Sequence, residues 1–312
     1  MSTLQAANAA VSPPVLLIAF RRPELTRRLL ESIRAARPYR LYVACDGPRI
    51  GRAGEAEKVS AVHAAVAECV GDLNPVTLYR EENLGCGRGV SEAISWFFEH
   101  EEEGIILEDD CLPDASFYPF CAELLDRYRD VTNVMQVAGY NAFANGVLRP
   151  SDYSFTSYGY QWGWATWRRA WRHFDLAMAS WPAFKALGYH RGPAFNRDRV
   201  RLLDATYSGQ VDTWDYQWAF AMAAEAGLSA VPHGNLVINL GMNGPDGTHY
   251  TEIQSVSRVP SPVTPVTFPL RHPQFVYADP EYDCRLLQVV QRPPLGRRIL
   301  RRLRSLAGAK GL

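Results

Sequence analysis

The chain has 312 residues, 47% of them hydrophobic, with 33 basic and 33 acidic side chains and a formal net charge of zero. That length fits one large domain or two closely packed halves with a sizeable core, and the composition excludes a disordered or low-complexity chain. Zero net charge removes bulk attraction to nucleic acid as an expectation, and no apolar run nears the roughly 18 residues of a membrane-spanning helix.

Residues 1–12 carry no basic side chain and no long apolar core, so they read as a flexible N-terminal tail rather than a secretion signal. Val15 to Ala19 is a fully apolar run, the pattern of a strand buried on both faces. Pro23 opens a helical stretch with Leu25, Leu29, Leu30 and Ile33 on one face. A second strand, Leu41 to Cys45, ends in the turn Asp46-Gly47-Pro48, followed by a helix over Ala56 to Val70 and a third strand at Val76 to Tyr79. The loop Glu81 to Gly87 leads into a helix from about Arg88 to Glu99, and a fourth strand, Gly104 to Leu107, runs into Glu108-Asp109-Asp110. Alternation of this kind predicts an α/β fold: a mostly parallel central sheet flanked by helices, with ligands at the carboxyl ends of its strands.

Four polar clusters fall at that edge: Arg21-Arg22, Asp46, Asn83 to Arg88, and Glu108 to Asp110. The expected division is a nucleotide-binding half over 13–133, an acceptor-binding half over 134–290 and a basic amphipathic tail over 291–312. Six dispersed cysteines without a Cys-x-x-Cys pair argue against a zinc knuckle or a disulfide framework and favour a reducing cytosol.

An acidic triplet alone is weak, as Glu101-Glu102-Glu103 shows; that upstream triplet reads as a solvated helix end. Glu108-Asp109-Asp110 differs because it terminates a buried strand, where adjacent carboxylates repel unless a cation or arginine neutralises them. Hard oxygen ligands suit Mg²⁺ or Mn²⁺, which also grip a diphosphate. Asn83 to Gly89 is glycine-rich before a helix and is a candidate anion cradle, with Arg88 a diphosphate or ribose contact or an exposed helix-start arginine. Seven tryptophans between Trp162 and Trp218 serve either as sugar-stacking faces, centred on Tyr158 to Trp164, or as core. Asp215, amid rings, suits a general base; Asp212 is its rival, or a cap for the helix that follows. Asn239-Leu240-Gly241 and Gly247-Thr248-His249 belong to a Gly/Asn-rich loop whose histidine either meets a metal or phosphate or is merely exposed.

The blocks LLIAFRRPE, YVACDGP, ENLGCGRGVSEAISWFF and GIILEDDCLPDASFYPF resemble, in order, the nucleotide-binding half of GT-A fold glycosyltransferases. The resemblance is to the bacterial haemolysin-like sugar transferase group, related to the N-acetylglucosaminyltransferase I family. It continues through GYQWGWATW and WDYQWAFAM to GTHY, about residues 14 to 255. It implies that Arg22, Asp46 and Arg88 contact the nucleotide, that Glu108 and Asp109 hold ribose and metal waters, and that Asp110 ligates Mn²⁺ or Mg²⁺. It implies Asp215 as catalytic base, and Thr248 and His249 in a loop touching the diphosphate; the residue reading adds His249 as a candidate metal ligand. One departure is that Tyr216 follows Asp215 where the Golgi enzymes have a second acid.

The expected activity is metal-dependent transfer of a sugar from a nucleoside diphosphate sugar, UDP-linked, to the hydroxyl of a glycan or lipid-linked saccharide, with inversion, in cell-envelope polysaccharide synthesis. The alternative from another class is a non-catalytic carbohydrate-binding or lytic protein on a degenerate GT-A fold. A sugar nucleotidyltransferase is disfavoured because AFRRPELTRR has neither the glycine nor the lysine such a loop needs. Leu295, Ile299, Leu303 and Leu306 form one stripe among five arginines, the pattern of a segment that lies on an anionic membrane or stays solvated. The expected location is the cytoplasm, with peripheral contact at the inner face of the cell membrane.

Overall fold

Apolar runs bounded by polar turns become neighbouring strands of one sheet. The computed structural model describes residues 12–144, 149–192, 194–243 and 262–291. The N-terminal tail before residue 12, the basic segment after 291, and Thr248 and His249 lie outside the described residues.

Strands β1 (Val15–Ala19), β2 (Leu41–Cys45), β3 (Val76–Tyr79) and β4 (Glu103–Glu108) are parallel, in the spatial order β3-β2-β1-β4. Helices α1 (Pro23–Ala36), α2 (Glu55–Val70) and α3 (Gly85–His100) connect them. Leu17 lies opposite Val43 on one side and Leu107 on the other, all fully buried. Helices cover both faces of β1, β2 and the interior of β4, which is why those stretches carry no polar alternation, while β3 forms the exposed edge. α1 starts at Pro23, where the missing N–H is harmless, and buries Leu29, Leu30 and Ile33. The chain leaves β1 towards β2 and β3, then returns to place β4 on the opposite side, so a crevice opens between the ends of β1 and β4.

After β4 come β5 (Cys111–Pro113), α4 (Phe117–Arg127), β6 (Val134–Ala138), β7 (Tyr153–Thr156), β8 (Trp164–Trp167) and α5 (Arg168–Trp171). They are followed by α6 (Trp181–Ala186), α7 (Arg197–Tyr207), α8 (Asp215–Ala224), β9 (Leu228–Pro232), β10 (Val237–Asn239) and α9 (Pro280–Gln291). β8, β6, β9 and β7 extend the sheet beyond β4 into eight strands, with only β7 and β8 running against the others. The expected mostly parallel α/β sheet flanked by helices is therefore present. β5 and β10 form a separate antiparallel pair, Cys111 opposite Asn239. All six cysteines are free thiols. Among the described residues no helix is long and apolar enough to cross a membrane.

Two expectations are corrected. Glu101-Glu102-Glu103 does follow the end of α3, and Glu102 is solvated at 79% exposure, but its neighbours are not: Tyr42 Oη donates to Glu101 at 2.7 Å and Arg129 to Glu103 at 2.9 Å, tying the entry of β4 to its surroundings. Six of the seven tryptophans are core rather than sugar platforms. Trp164, Trp171, Trp214 and Trp218 pack with Leu16, Tyr42, Ile94, Phe97 and Ile106, and Trp181 joins Leu203 and Phe220 elsewhere. Indole N–H groups need partners when buried, and they find them: Trp218 Nε1 donates to Gln136 Oε1 at 2.7 Å, Trp171 Nε1 to Ser95 Oγ at 3.0 Å and Trp167 Nε1 to Leu125 O at 3.2 Å. Trp162 alone of the seven stays half-buried, against Tyr140.

Trp218→Ala removes a fully buried ring and strips the Gln136 carbonyl of its donor. The expected loss is about 3–5 kcal/mol in urea unfolding, the range of large-to-small aromatic truncations.

Candidate active site at the end of the fourth strand

The pairing of β1 with β4 runs to the last residue, with Asp109 N donating to Ile18 O at 3.0 Å. It sets Glu108-Asp109-Asp110 beside Phe20-Arg21-Arg22, the residues that leave β1. Arg22 reaches across the crevice: Nε donates to Asp109 Oδ1 at 2.9 Å and Nη1 to Asp110 Oδ2 at 2.8 Å, with a further contact from Nη2 to Asp109. Asp109 Oδ2 accepts the Phe20 N–H at 3.2 Å, and the residue is 3% exposed.

The β5–β10 pair closes the other side. Leu240 N donates to Asp110 O at 2.7 Å, Asn239 Nδ2 reaches Asp110 Oδ1 at 3.5 Å, and Asn239 Oδ1 accepts from Gly241 N at 2.9 Å. Gly241 sits so tightly that a Cβ there would run into the Asp110 carboxylate and come within 3.1 Å of Arg22 Nη1. Asn239-Leu240-Gly241 was visible in the sequence as a polar loop after a strand, but its contact with Asp110 depends on pairing two three-residue strands, which leave no periodic signal.

One guanidinium therefore faces three carboxylates. Burial pushes the Asp109 carboxyl up, with Arg22 opposing; burial and the Asp110 charge push Glu108 up as well. For Arg22 burial works against the charge, but Asp109, Asp110 and Glu108 outweigh it and hold the side chain protonated. Carboxylates crowded in this way are relieved by protonation, the direction in which Glu108 and Asp109 are pushed, or by a second cation. Mg²⁺ and Mn²⁺ are commonly held by one or two carboxylates, with water and phosphate completing the shell. Among the described residues no group of three His, Cys, Asp or Glu side chains is placed to hold a metal ion.

The glycine-rich stretch departs from its reading. Gly85, Cys86 and Gly87 are not a loop but the first turn of α3, and the anions at that helix end are the protein's own. Leu84 N donates to Asp46 Oδ2 at 2.9 Å, Cys86 N to Asp212 Oδ2 at 3.0 Å and Gly87 N to Asp212 Oδ1 at 2.8 Å. Asp212 thus caps α3, not the helix that follows it. Asp46 stands at the end of β2 as expected, its carboxyl raised by burial and held back by the Leu84 amide.

Asp215 is the first residue of α8, and its Oδ1 accepts from Tyr216 N at 3.0 Å and from Thr213 Oγ1. Its neighbour Trp214 stacks on Trp164 at 5.6 Å, and Trp164 lies opposite Ile106 in the sheet, two residues before Glu108. Asp215 therefore comes to the acid edge, where its charge contributes to raising Glu108. Cys86, unassigned from sequence, belongs to the same surroundings: burial, then Glu108, Asp215, Asp212 and Asp110, push its thiol well up. Arg88 is not brought into this group; it is exposed and pairs with Glu92 one turn on, at 3.0 Å. Arg21 turns to Glu55 at 3.3 Å, a carboxylate 3% exposed that Arg49 also grips.

No protein-family profile matches the chain, and no curated protein sequence does. Among solved structures the chain is similar to S. aureus TarS 1-349, with 11% identity and a TM-score of 0.40 over 73% of this chain and 59% of that one. It is also similar to glucosyl-3-phosphoglycerate synthase from Mycobacterium tuberculosis in complex with Mn²⁺, UDP and glucosyl-3-phosphoglycerate, with 14% identity and a TM-score of 0.31 over 51% of this chain and 58% of that one. The same synthase with Mn²⁺, UDP-glucose and phosphoglyceric acid gives 15% identity and the same TM-score. The chain spans under two thirds of the length of each.

Gly241→Ala is expected to displace the Asp110 carboxylate and disturb its contact with Arg22, and so to weaken Mn²⁺-dependent nucleotide binding in calorimetric titration. Glu55 gives a pH prediction. Arg49, against the opposing effect of burial, holds its carboxyl down at about 2, whereas an unfolded glutamate titrates near roughly 4.3. Its stabilisation is complete above that unfolded value and is lost as pH falls towards 2. Glu55→Gln should be less stable than the parent at pH 7, with the gap in urea unfolding closing across that window.

Proposed function

We propose that the protein is a metal-dependent glycosyltransferase that moves a sugar from a nucleoside diphosphate sugar, UDP-linked, to an acceptor hydroxyl. The observation that carries this reading is the acid edge itself: three carboxylates and one guanidinium at the crevice between β1 and β4, with Asp215 delivered to the same place by α8. The GT-A resemblance of the blocks that build this edge agrees with it.

Asp110, with Glu108 beside it, would hold Mn²⁺ or Mg²⁺, and His249 is the further candidate ligand. When bound, such an ion supplies Lewis-acid stabilisation of charge on the departing diphosphate. Arg22 fixes the orientation of Asp109 and Asp110. Asp46, Arg88, Asp109 and Thr248 are assigned by the resemblance to the nucleotide and diphosphate, Arg88 requiring release from Glu92.

Asp215 is the base that takes the acceptor proton as the hydroxyl oxygen attacks the anomeric carbon. Between the two aspartates the geometry favours it: Asp212 has both oxygens committed to backbone amides of α3. Inversion at the anomeric carbon follows from the resemblance, as does an acceptor of glycan or lipid-linked saccharide type in envelope polysaccharide synthesis. The basic segment at 291–312 would hold the protein at the inner face of the membrane.

Asp110→Ala is expected to abolish both transfer and the Mn²⁺-dependent part of UDP binding. Asp215→Asn should keep UDP–Mn²⁺ binding and lose turnover by roughly 10²–10⁴-fold, the scale of general-base removal. Titration of the parent with UDP, with and without Mn²⁺, followed by hydrolysis across a nucleotide-sugar panel, tests the reading. Absence of metal-linked binding in the parent would leave a non-catalytic carbohydrate-binding protein.

A further inference from the structure

Asp212 lies in the connection between α7 and α8, three residues before Asp215, and it binds an element 125 positions away in sequence. Its two carboxylate oxygens accept from Cys86 N at 3.0 Å and Gly87 N at 2.8 Å. Two glycines make the approach possible. A Cβ on Gly85 would stand 2.7 Å from Asp212 Oδ2, and one on Gly87 would stand 2.8 Å from Asp212 Oδ1 and 2.9 Å from Thr213 O. Gly85 also has φ +79, a left-handed backbone that a side chain would strain. The contact continues into the base: Thr213 O accepts from Gln217 Nε2 at 2.7 Å, and Thr213 Oγ1 donates to the Asp215 carboxylate.

The side chain is exposed and contributes little to the core, yet it is the link from the start of α3 to the residues that precede Asp215. A carboxylate across the free amides of a 16-residue helix combines charge-assisted hydrogen bonds with the favourable end of the helix dipole. Trp214 anchors α8 from the core side, and the Asp212 contact anchors the same turn from the crevice side.

We propose that Asp212 is a positioning residue: by clamping the amides of Cys86 and Gly87, it fixes the Thr213–Asp215 turn, and with it the base, against the acid edge. This rests on the transferase reading given above for its catalytic consequence, but the clamp itself is testable without activity. Misplacing a catalytic group by about 1 Å costs on the order of 10²-fold in rate, while substrate binding at the other side of the crevice is untouched.

The test compares the parent with Asp212→Ala, Asp212→Asn, Gly87→Ala and the Asp212→Ala/Gly87→Ala pair, in the full chain. Hydrogen exchange read by mass spectrometry should show faster exchange over residues 84–90 and 208–216 in Asp212→Ala, with β1 and β4 unchanged. Donor turnover should fall roughly 10–100-fold in kcat, with donor KM and the Kd for UDP–Mn²⁺ within about twofold of the parent. Asp212→Asn, which keeps one accepting oxygen, should recover part of that loss. Alanine is intrinsically a better helix former than glycine, so loss of kcat in Gly87→Ala would come from pushing the clamp away, and the pair should be no worse than its weaker member.

Unchanged exchange over 208–216 in Asp212→Ala would overturn the clamp whatever the activity. Parental kcat despite faster exchange would overturn the positioning role. Inactivity of Asp212→Asn equal to that of Asp215→Asn, with exchange unchanged, would make Asp212 the base instead. A parent that neither binds UDP–Mn²⁺ nor turns over a donor would overturn the transferase reading alone, leaving the exchange result to decide the clamp.

Discussion

The contact of Arg22 with Asp109 and Asp110 is the constraint on which the rest of the crevice depends. Three consecutive acids at the end of a buried strand are unfavourable because each charge loses water and meets its neighbours. Arg22, delivered by β1, the neighbour of β4, supplies one positive charge and three of its donor nitrogens. Removing one partner of such a pair commonly costs about 3–5 kcal/mol because the other charge stays buried. The compensation is deliberately incomplete in its arithmetic: one cation against three acids leaves an edge that attracts another. The interaction that lets β4 end on acids is thus also the one that leaves them short of positive charge.

The same economy governs the start of α3. Its free amides are satisfied by carboxylates from two distant places, Asp46 at the end of β2 and Asp212 before α8. A glycine-rich helix start is built to admit an anion, and a bound phosphate and a side-chain carboxylate make the same demand on backbone space. Nothing local distinguishes them, so Asn83 to Gly89 reads as an anion cradle until the chain is followed to Asp212. The glycines admit an anion, and the one at this helix start is the Asp212 carboxylate.

What the sequence discloses follows from the range of the interactions involved. β1 and β2 have the bounds their apolar runs predict, because helices on both faces remove every reason for a polar residue inside them; β3, at the exposed edge of the sheet, also keeps its predicted bounds. The acid edge was legible for the same reason, since the strand before it was unambiguous. Beyond Val134 the signal weakens. β5 and β10 are three residues each, and their pairing brings Asn239 and Gly241 to Asp110 across more than a hundred positions. The tryptophans were ambiguous because a sugar and a protein core both favour large rings; their indole N–H groups decide the matter, and the partners Gln136, Ser95 and Asp204 come from separate elements.

That tryptophan core links packing to chemistry. A single apolar cluster includes Val90, Ile94 and Phe97 of α3, Ile106 of β4, Trp164 of β8, and Trp214 and Trp218 around the start of α8. α3 carries Cys86 and Gly87, β4 carries the acids, and α8 carries Asp215, so the three elements that meet at the crevice are cemented to one another beneath it. Close-packed interiors shift as units rather than deform smoothly, so ring packing holds the three elements together beneath the crevice, while the Asp212 contact holds the turn that carries Asp215 above it. On this architecture the core ties α3, β4 and α8 together from below, and polar contacts at the surface of the crevice, Thr213 to Asp215 and Arg22 to Asp109, orient the acids above it.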